Sequence, residues 1–313
     1  MRFPTAIHLR QLTFLCTLLL ISNALLHAQQ PSPQPRCINL EVALGPSHAC
    51  DRFPTNQRDS FFVAWRSSLD AANWQSIESL YQDVETVATN HAQGGTGPQS
   101  DADMAGAEYA CAKASRIDAD ENTAASSNAV LQLLLTECFT CVTFPTERPA
   151  LTHTLEELKV LAVQADCRIR PLEQTIASIN CRITCASNEL ANSRLTKRRE
   201  ALAAEIHSLR CRLTQCSTEL HSLTEAVQKK VGDLHERFTK ADNALTDISR
   251  FYPAVTLRAV TTNTQKYREG TGNVEKCFDA IERHRKTAGN ANAMLIATWH
   301  LHSELKLLIC TLP

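Results

Sequence analysis

Glycine is scarce, at nine in 313 residues, and aromatic residues make up only 5% of the chain. A single stretch of β character, Val255 to Val260, interrupts an otherwise helix-forming sequence. That shortage excludes the turn-rich sandwich and barrel architectures and points to an all-α fold. Catalytic signatures are missing too. No Gly-x-Ser-x-Gly, His-Glu-x-x-His, Walker or dinucleotide-binding loop occurs, so neither an enzyme nor a cofactor is expected. No Asn-x-Ser/Thr occurs either, so no N-glycan is expected.

A large charge of one sign is also lacking, since 32 basic residues face 33 acidic ones. Such a balance carries no electrostatic footprint for nucleic acid or for an anionic membrane.

What the chain does have begins at its first residues. Arg2 and Arg10 precede the apolar run Leu12–Leu26, which is followed by His27-Ala28-Gln29-Gln30. A basic start, a short apolar run and a small residue before polar chain describe a secretory signal peptide over residues 1–28, an uncleaved signal anchor being the alternative. Cleavage takes the balance to 30 basic against 33 acidic residues. No later segment reads as a transmembrane helix. Even the apolar stretch from Met294 to Leu312 holds His300, His302, Glu304 and Lys306, each costly in hydrocarbon. The expected location is the secretory pathway, then the cell surface or the extracellular space.

Thirteen cysteines are present and Cys16 leaves with the signal. The other twelve are Cys37, Cys50, Cys111, Cys138, Cys141, Cys167, Cys181, Cys185, Cys211, Cys216, Cys277 and Cys310. An even number in an oxidising compartment suggests up to six disulfides, each contributing about 2–4 kcal/mol.

Beyond a Pro- and Cys-containing leader at 29–54, the chain reads as one helical bundle domain, 55–313. Residues 56–92 form a first helix, stopped by Gly94-Gly95-Thr96-Gly97-Pro98. A second spans 101–142 and is expected to break at its polar middle, Asp118 to Asn128. The last runs from Asn273 to about Ile309.

Between them lies the strongest pattern. Apolar or small residues from Leu155 to Leu190 recur at alternating steps of three and four, with Pro171 expected to kink the helix. A second seam runs from Leu202 to Tyr252 with one stutter between Val227 and Val231. The two seams differ in phase, so the chain must reverse at 192–199. The result is a coiled-coil hairpin over about 152–252 within an elongated antiparallel bundle. Cys181 with Cys216, and Cys185 with Cys211, are symmetric about residue 198, which suggests two disulfide rungs. Only Cys216 lies on a seam, however, so a third helix or a loop is the other destination for these sulfurs. The cationic tip, Lys197, Arg198 and Arg199, is the candidate partner contact.

Other groupings suggest less. Cys138-x-x-Cys141 has redox spacing but no βαβ setting, and reads as a structural bridge. His300 and His302, two apart on a helix, point to different faces and cannot share a metal; no metal site is expected. Trp65, Trp74 and Trp299 are the candidate lining of a pocket, should the chain be a soluble carrier or scavenger of a small apolar ligand.

A signal peptide, a long helix after a cysteine-containing leader, and a cysteine-studded helical hairpin resemble the N-terminal domain of variant surface glycoproteins, among the kinetoplastid helical-bundle surface proteins. The resemblance implies a coat or receptor protein, homo-oligomeric or bound to a protein partner, acting in cell-surface display, immune evasion or ligand binding. That pattern commonly includes a glycolipid-anchor tail and glycosylation sites; this sequence closes on Leu307-Leu308-Ile309-Cys310-Thr311-Leu312-Pro313, preceded by charged residues, and holds no Asn-x-Ser/Thr.

Overall fold

The computed structural model describes residues 37–38, 55–133 and 141–309. The expected signal peptide, nearly all of the leader, and Cys50, Cys138 and Cys310 lie outside the described residues, as does the side chain of Cys37. The elements are β1 (Cys37–Ile38), α1 (Thr55–Gln93), α2 (Gln99–Leu133), β2 (Cys141–Val142), α3 (Leu155–Ala165), α4 (Ile169–Asn192), α5 (Thr196–Ser249), α6 (Ala254–Arg268) and α7 (Val274–Leu308). The fold is all-α apart from the two-residue parallel pairing of β1 with β2.

Helices α1 and α2 form one antiparallel pair, reversing at Gly94–Pro98, where Gly95 holds a positive φ of 67°. α2 does not break at its polar middle. Its inner face runs Ala102, Ala105, Tyr109, Ala112, Arg116, Ala119, Thr123, Ser126 and Val130, a heptad seam built from small and polar residues. Ala105, Ala112 and Ala119 are buried, and side chains this small let α1 approach closely. The polar members are each hydrogen-bonded, across to α1 or within their own helix. Arg116 reaches Glu78 of α1, the Thr123 hydroxyl donates to the Ala119 carbonyl at 2.8 Å, and Ser126 donates to Asn122 at 2.7 Å. The expected C-terminal end of this helix is corrected as well. Cys141 and Val142 are a strand beside Cys37 and Ile38, and Thr143 N donates to the Ile38 carbonyl at 2.7 Å.

Pro171 does more than kink its helix. The chain breaks into α3 and α4, and Pro171 sits in the first turn of α4, where its missing N–H has no helical acceptor to lose. Asp166 closes the break by accepting from the backbone and guanidinium of Arg168 at 2.7–3.0 Å. α3 carries a capping box, with Thr154 and Glu157 each satisfying the other's backbone N–H. The stretch Val255–Val260 lies in α6, not a strand; Val260 turns inward, while Val255 and Leu257 stay exposed.

α7, capped by Asn273 accepting from Lys276 N at 3.1 Å, is the common support. Val274, Cys277, Ala280 and Ile281 pack with Ile77, Tyr81 and Val84 of α1 and with Val260 and Tyr267 of α6. Further along, Leu295, Ile296 and Trp299 meet Phe61, Phe62 and Trp65. Its last turns, Leu301 and Leu305, join Leu158 and Ala162 of α3 to Val227, Val231, Leu234 and Phe238 of α5. Among the described residues no helix is long and apolar enough to cross a membrane.

Ile281 is fully buried where α1, α6 and α7 meet. Ile281→Ala is expected to lower unfolding stability by about 2–5 kcal/mol, read as a shift in urea midpoint. A shift near zero would mean α7 is not packed as described.

Candidate functional site at the hairpin tip

The α4–α5 hairpin reverses within Ser193–Leu195, inside the expected 192–199. Three contacts define its register. Ala186 and Leu190 of α4 close on Leu202 and Ile206 of α5. Arg182 donates to Glu205 at 2.9 Å, and Arg198 donates twice to Glu189, at 2.8 and 2.5 Å. These pairs are symmetric about positions between 193 and 196, not 198.

That register corrects the proposed rungs. It sets Cys216 level with Ile176, and leaves Cys181, Cys185 and Cys211 at outward heptad positions. All three are exposed and, with Cys216, carry free thiols. Cys111, Cys167 and Cys277 are free as well, so seven of the twelve candidate cysteines form no bond within the described chain. Cys141 is disulfide-bonded.

The tip itself concentrates unpartnered groups. Leu195 is 73% exposed, unusual for a large apolar side chain. Around it Arg194, Lys197 and Arg199 are exposed and in no ion pair among the described residues, whereas Arg198 is held by Glu189. Lys197, Arg198 and Arg199 occupy the first turn of α5, which contains no acidic residue. The helix dipole adds positive potential at that end, so cations gathered there are placed for an acidic partner rather than for helix stability. Below the tip the seam is only half-buried at Leu172, Ile176, Ile183, Leu213 and Leu220, because α4 packs on α5 alone, apart from α3 at its start.

The tryptophans do not converge on one pocket. Trp65 is buried in the core, with its ring parallel to Phe144 at 6.3 Å. Trp299 donates its indole N–H to the Glu147 carbonyl at 2.7 Å, pinning the loop before α3. Trp74 alone lines a cleft, of about 690 Å³, between α1 and α2. The rest of that wall mixes Ser67, Asp70, Ser115, Asp118 and Asn122 with Val63, Ala119 and Ala125. Burial raises the Asp70 carboxyl above the usual carboxylate range, with Arg66 opposing.

The α7 histidines serve packing. His302 lies between Trp299 and Phe238, with ring centroids 5.3 and 6.2 Å away. His284 Nδ1 is 2.7 Å from the Thr256 hydroxyl. Burial depresses both, His302 to about 4 with Lys306 adding to the effect, and depresses His300 against the pull of Glu304. No group of three or more possible metal ligands occurs among the described residues.

No protein-family model matches the chain, and no curated protein matches it. Solved structures do. CusC, studied for the conformational changes of its folding and transmembrane channel formation, aligns with a TM-score of 0.57 at 14% identity, over 82% of this chain and 67% of that one. The outer-membrane channel OprN aligns with a TM-score of 0.55 at 13% identity, over 80% of this chain and 64% of that one. Both are likenesses of fold.

Because the folded histidines titrate below the ordinary value of 6.5, the unfolded chain binds more protons in the interval between. Stability therefore falls as pH drops from about 6.5 to about 4. Urea midpoints measured across that range should decline, and the decline should be shallower in His302→Gln. An unchanged slope in that variant would remove His302 from the account.

Proposed function

We propose that the protein is a non-enzymatic, exported helical-bundle protein that works at the cell surface by presenting the α4–α5 tip to an acidic protein partner. The observation that carries this is the exposed Leu195 ringed by Arg194, Lys197 and Arg199. An apolar anchor surrounded by unpaired cations suits a partner offering a small apolar pocket rimmed by carboxylates. The sequence supports export, through the basic and apolar N-terminal stretch. The resemblance to variant surface glycoproteins adds display and immune evasion as the setting. The fold likeness to outer-membrane channel proteins agrees with a place at a cell envelope.

The carrier reading has less support. An apolar ligand needs an apolar pocket, and the cleft that Trp74 lines also carries two carboxylates, three hydroxyls and an amide.

The test is a triple variant, Leu195→Asp with Lys197→Glu and Arg199→Glu, assayed for binding of the labelled chain to intact cells. A loss of affinity of tenfold or more is expected, with the thermal midpoint unchanged. Undiminished binding would contradict the proposal, and so would a large fall in midpoint, which would mean the tip is packed.

A further inference from the structure

The cysteines of the hairpin remain to be explained. Cys181 and Cys185 lie one turn apart on the outward face of α4, both exposed and both free. They cannot bond to each other, because Cβ atoms at i and i+4 stand about 5–6 Å apart and a disulfide needs about 3.5–4.5 Å. Nor can they reach Cys211 or Cys216, which the register places on the far side of α5 and in the seam.

The face around them is unusual for a helix in solvent. From Gln174 to Asn192 the only charged residues of α4 are Arg182 and Glu189, and both are spent on α5. What faces outward is Ala177, Ser178, Cys181, Thr184, Cys185 and Asn188, all exposed. The Thr184 hydroxyl already donates to the Asn180 carbonyl at 3.0 Å, so burying it strands no donor. Small side chains admit a second helix at close range.

We propose that this face joins two copies of the chain, α4 against α4 in antiparallel orientation, with Cys181 of each copy bonded to Cys185 of the other. Charge decides for a second copy. In a two-fold interface every group near the axis meets its own kind, and a face without charge meets no repulsion. The outward face of α5 is less suited. It offers one thiol, Cys211, flanked by Arg210 and Arg212, which are exposed and in no ion pair among the described residues. The axis passes level with Ile183, where Cys181 of one copy stands opposite Cys185 of the other. Each bond takes two thiols, gives up two protons and two electrons, and reduces one small disulfide such as oxidised glutathione to two thiols. The interface rests on the exported setting proposed above, because thiols persist reduced in the cytosol.

The experiment oxidises the purified full-length chain with glutathione disulfide and follows it on non-reducing gels and by peptide mapping. The expected product is a covalent dimer yielding a Cys181–Cys185 linked peptide. Cys181→Ser with Cys185→Ser should reduce it at least tenfold, Cys211→Ser should not, and Ala177→Glu should reduce it several-fold with unchanged helicity and melting. A persistent monomer, a dimer that survives in the double serine variant, or Cys181 mapped to a bond within its own chain would overturn the proposal. A dimer formed in vitro, beside reduced monomer recovered from cells, would uphold the interface and overturn the exported setting instead.

Discussion

Burial of α7 along its length is the contact on which both helical pairs depend. α1 and α2 close on each other through alanines, and that seam alone buries little apolar surface. α5 has its continuous core only from Val227 onward, where Leu301 and Leu305 of α7 complete it. Successive faces of α7 thus tie α1 and α6 at one end to α3 and α5 at the other. The aromatic group of Phe61, Phe62, Trp65 and Trp299 fills the middle. Because the burial is continuous, loss of a side chain at one level is felt by helices from distant parts of the sequence.

The α4–α5 arm is built on a different principle. It leaves the bundle where α3 stops and continues as two helices. About 27 residues of α5 at 1.5 Å each make a projection of ~40 Å. Two helices cannot fully cover a seam, so Ile176, Ile183, Leu213 and Leu220 stay half-buried beside the buried Ile179 and Leu209, while ion pairs at Arg182 and Arg198 fix the register. Exposed pairs contribute only roughly 0–1 kcal/mol each. Their role here is alignment more than strength. An arm with a neutral outer face, free thiols midway and an apolar, cationic end is suited to making contacts outside its own chain, which unites the two proposals.

Much of this was legible in the sequence, for identifiable reasons. Repeating leucines and isoleucines marked α3, α4 and α5, and the phase change between Leu190 and Leu202 located the reversal. α2 was legible only in part, because its seam is written in alanine, threonine, serine and arginine, which a search for apolar residues passes over. Pro171 was read as a kink because periodicity continues across it. The backbone break at Asp166–Arg168 preserves the phase and so leaves no trace in the pattern. The rungs misled because symmetry in residue number does not set rotation about a helix axis. Cys181 and Cys211 match in level and face opposite ways. The exposed Leu195 could have been found beforehand as the one large apolar residue in a stretch otherwise polar from Ala191 to Glu200. Beyond that, the tip's meaning depended on knowing that Arg198 is paired while Arg194, Lys197 and Arg199 are not.

The central claim is that the arm stands away from a bundle organised on α7. It is tested most directly by the distance between two labels, one carried by an unnatural amino acid at Ser193 and the other at Lys306. Some 35 residues of α5 separate the tip from the level of Lys306, so the account predicts a single narrow distribution centred at ~50 Å. A distribution centred below ~30 Å would show the arm folded back on the bundle and contradict it.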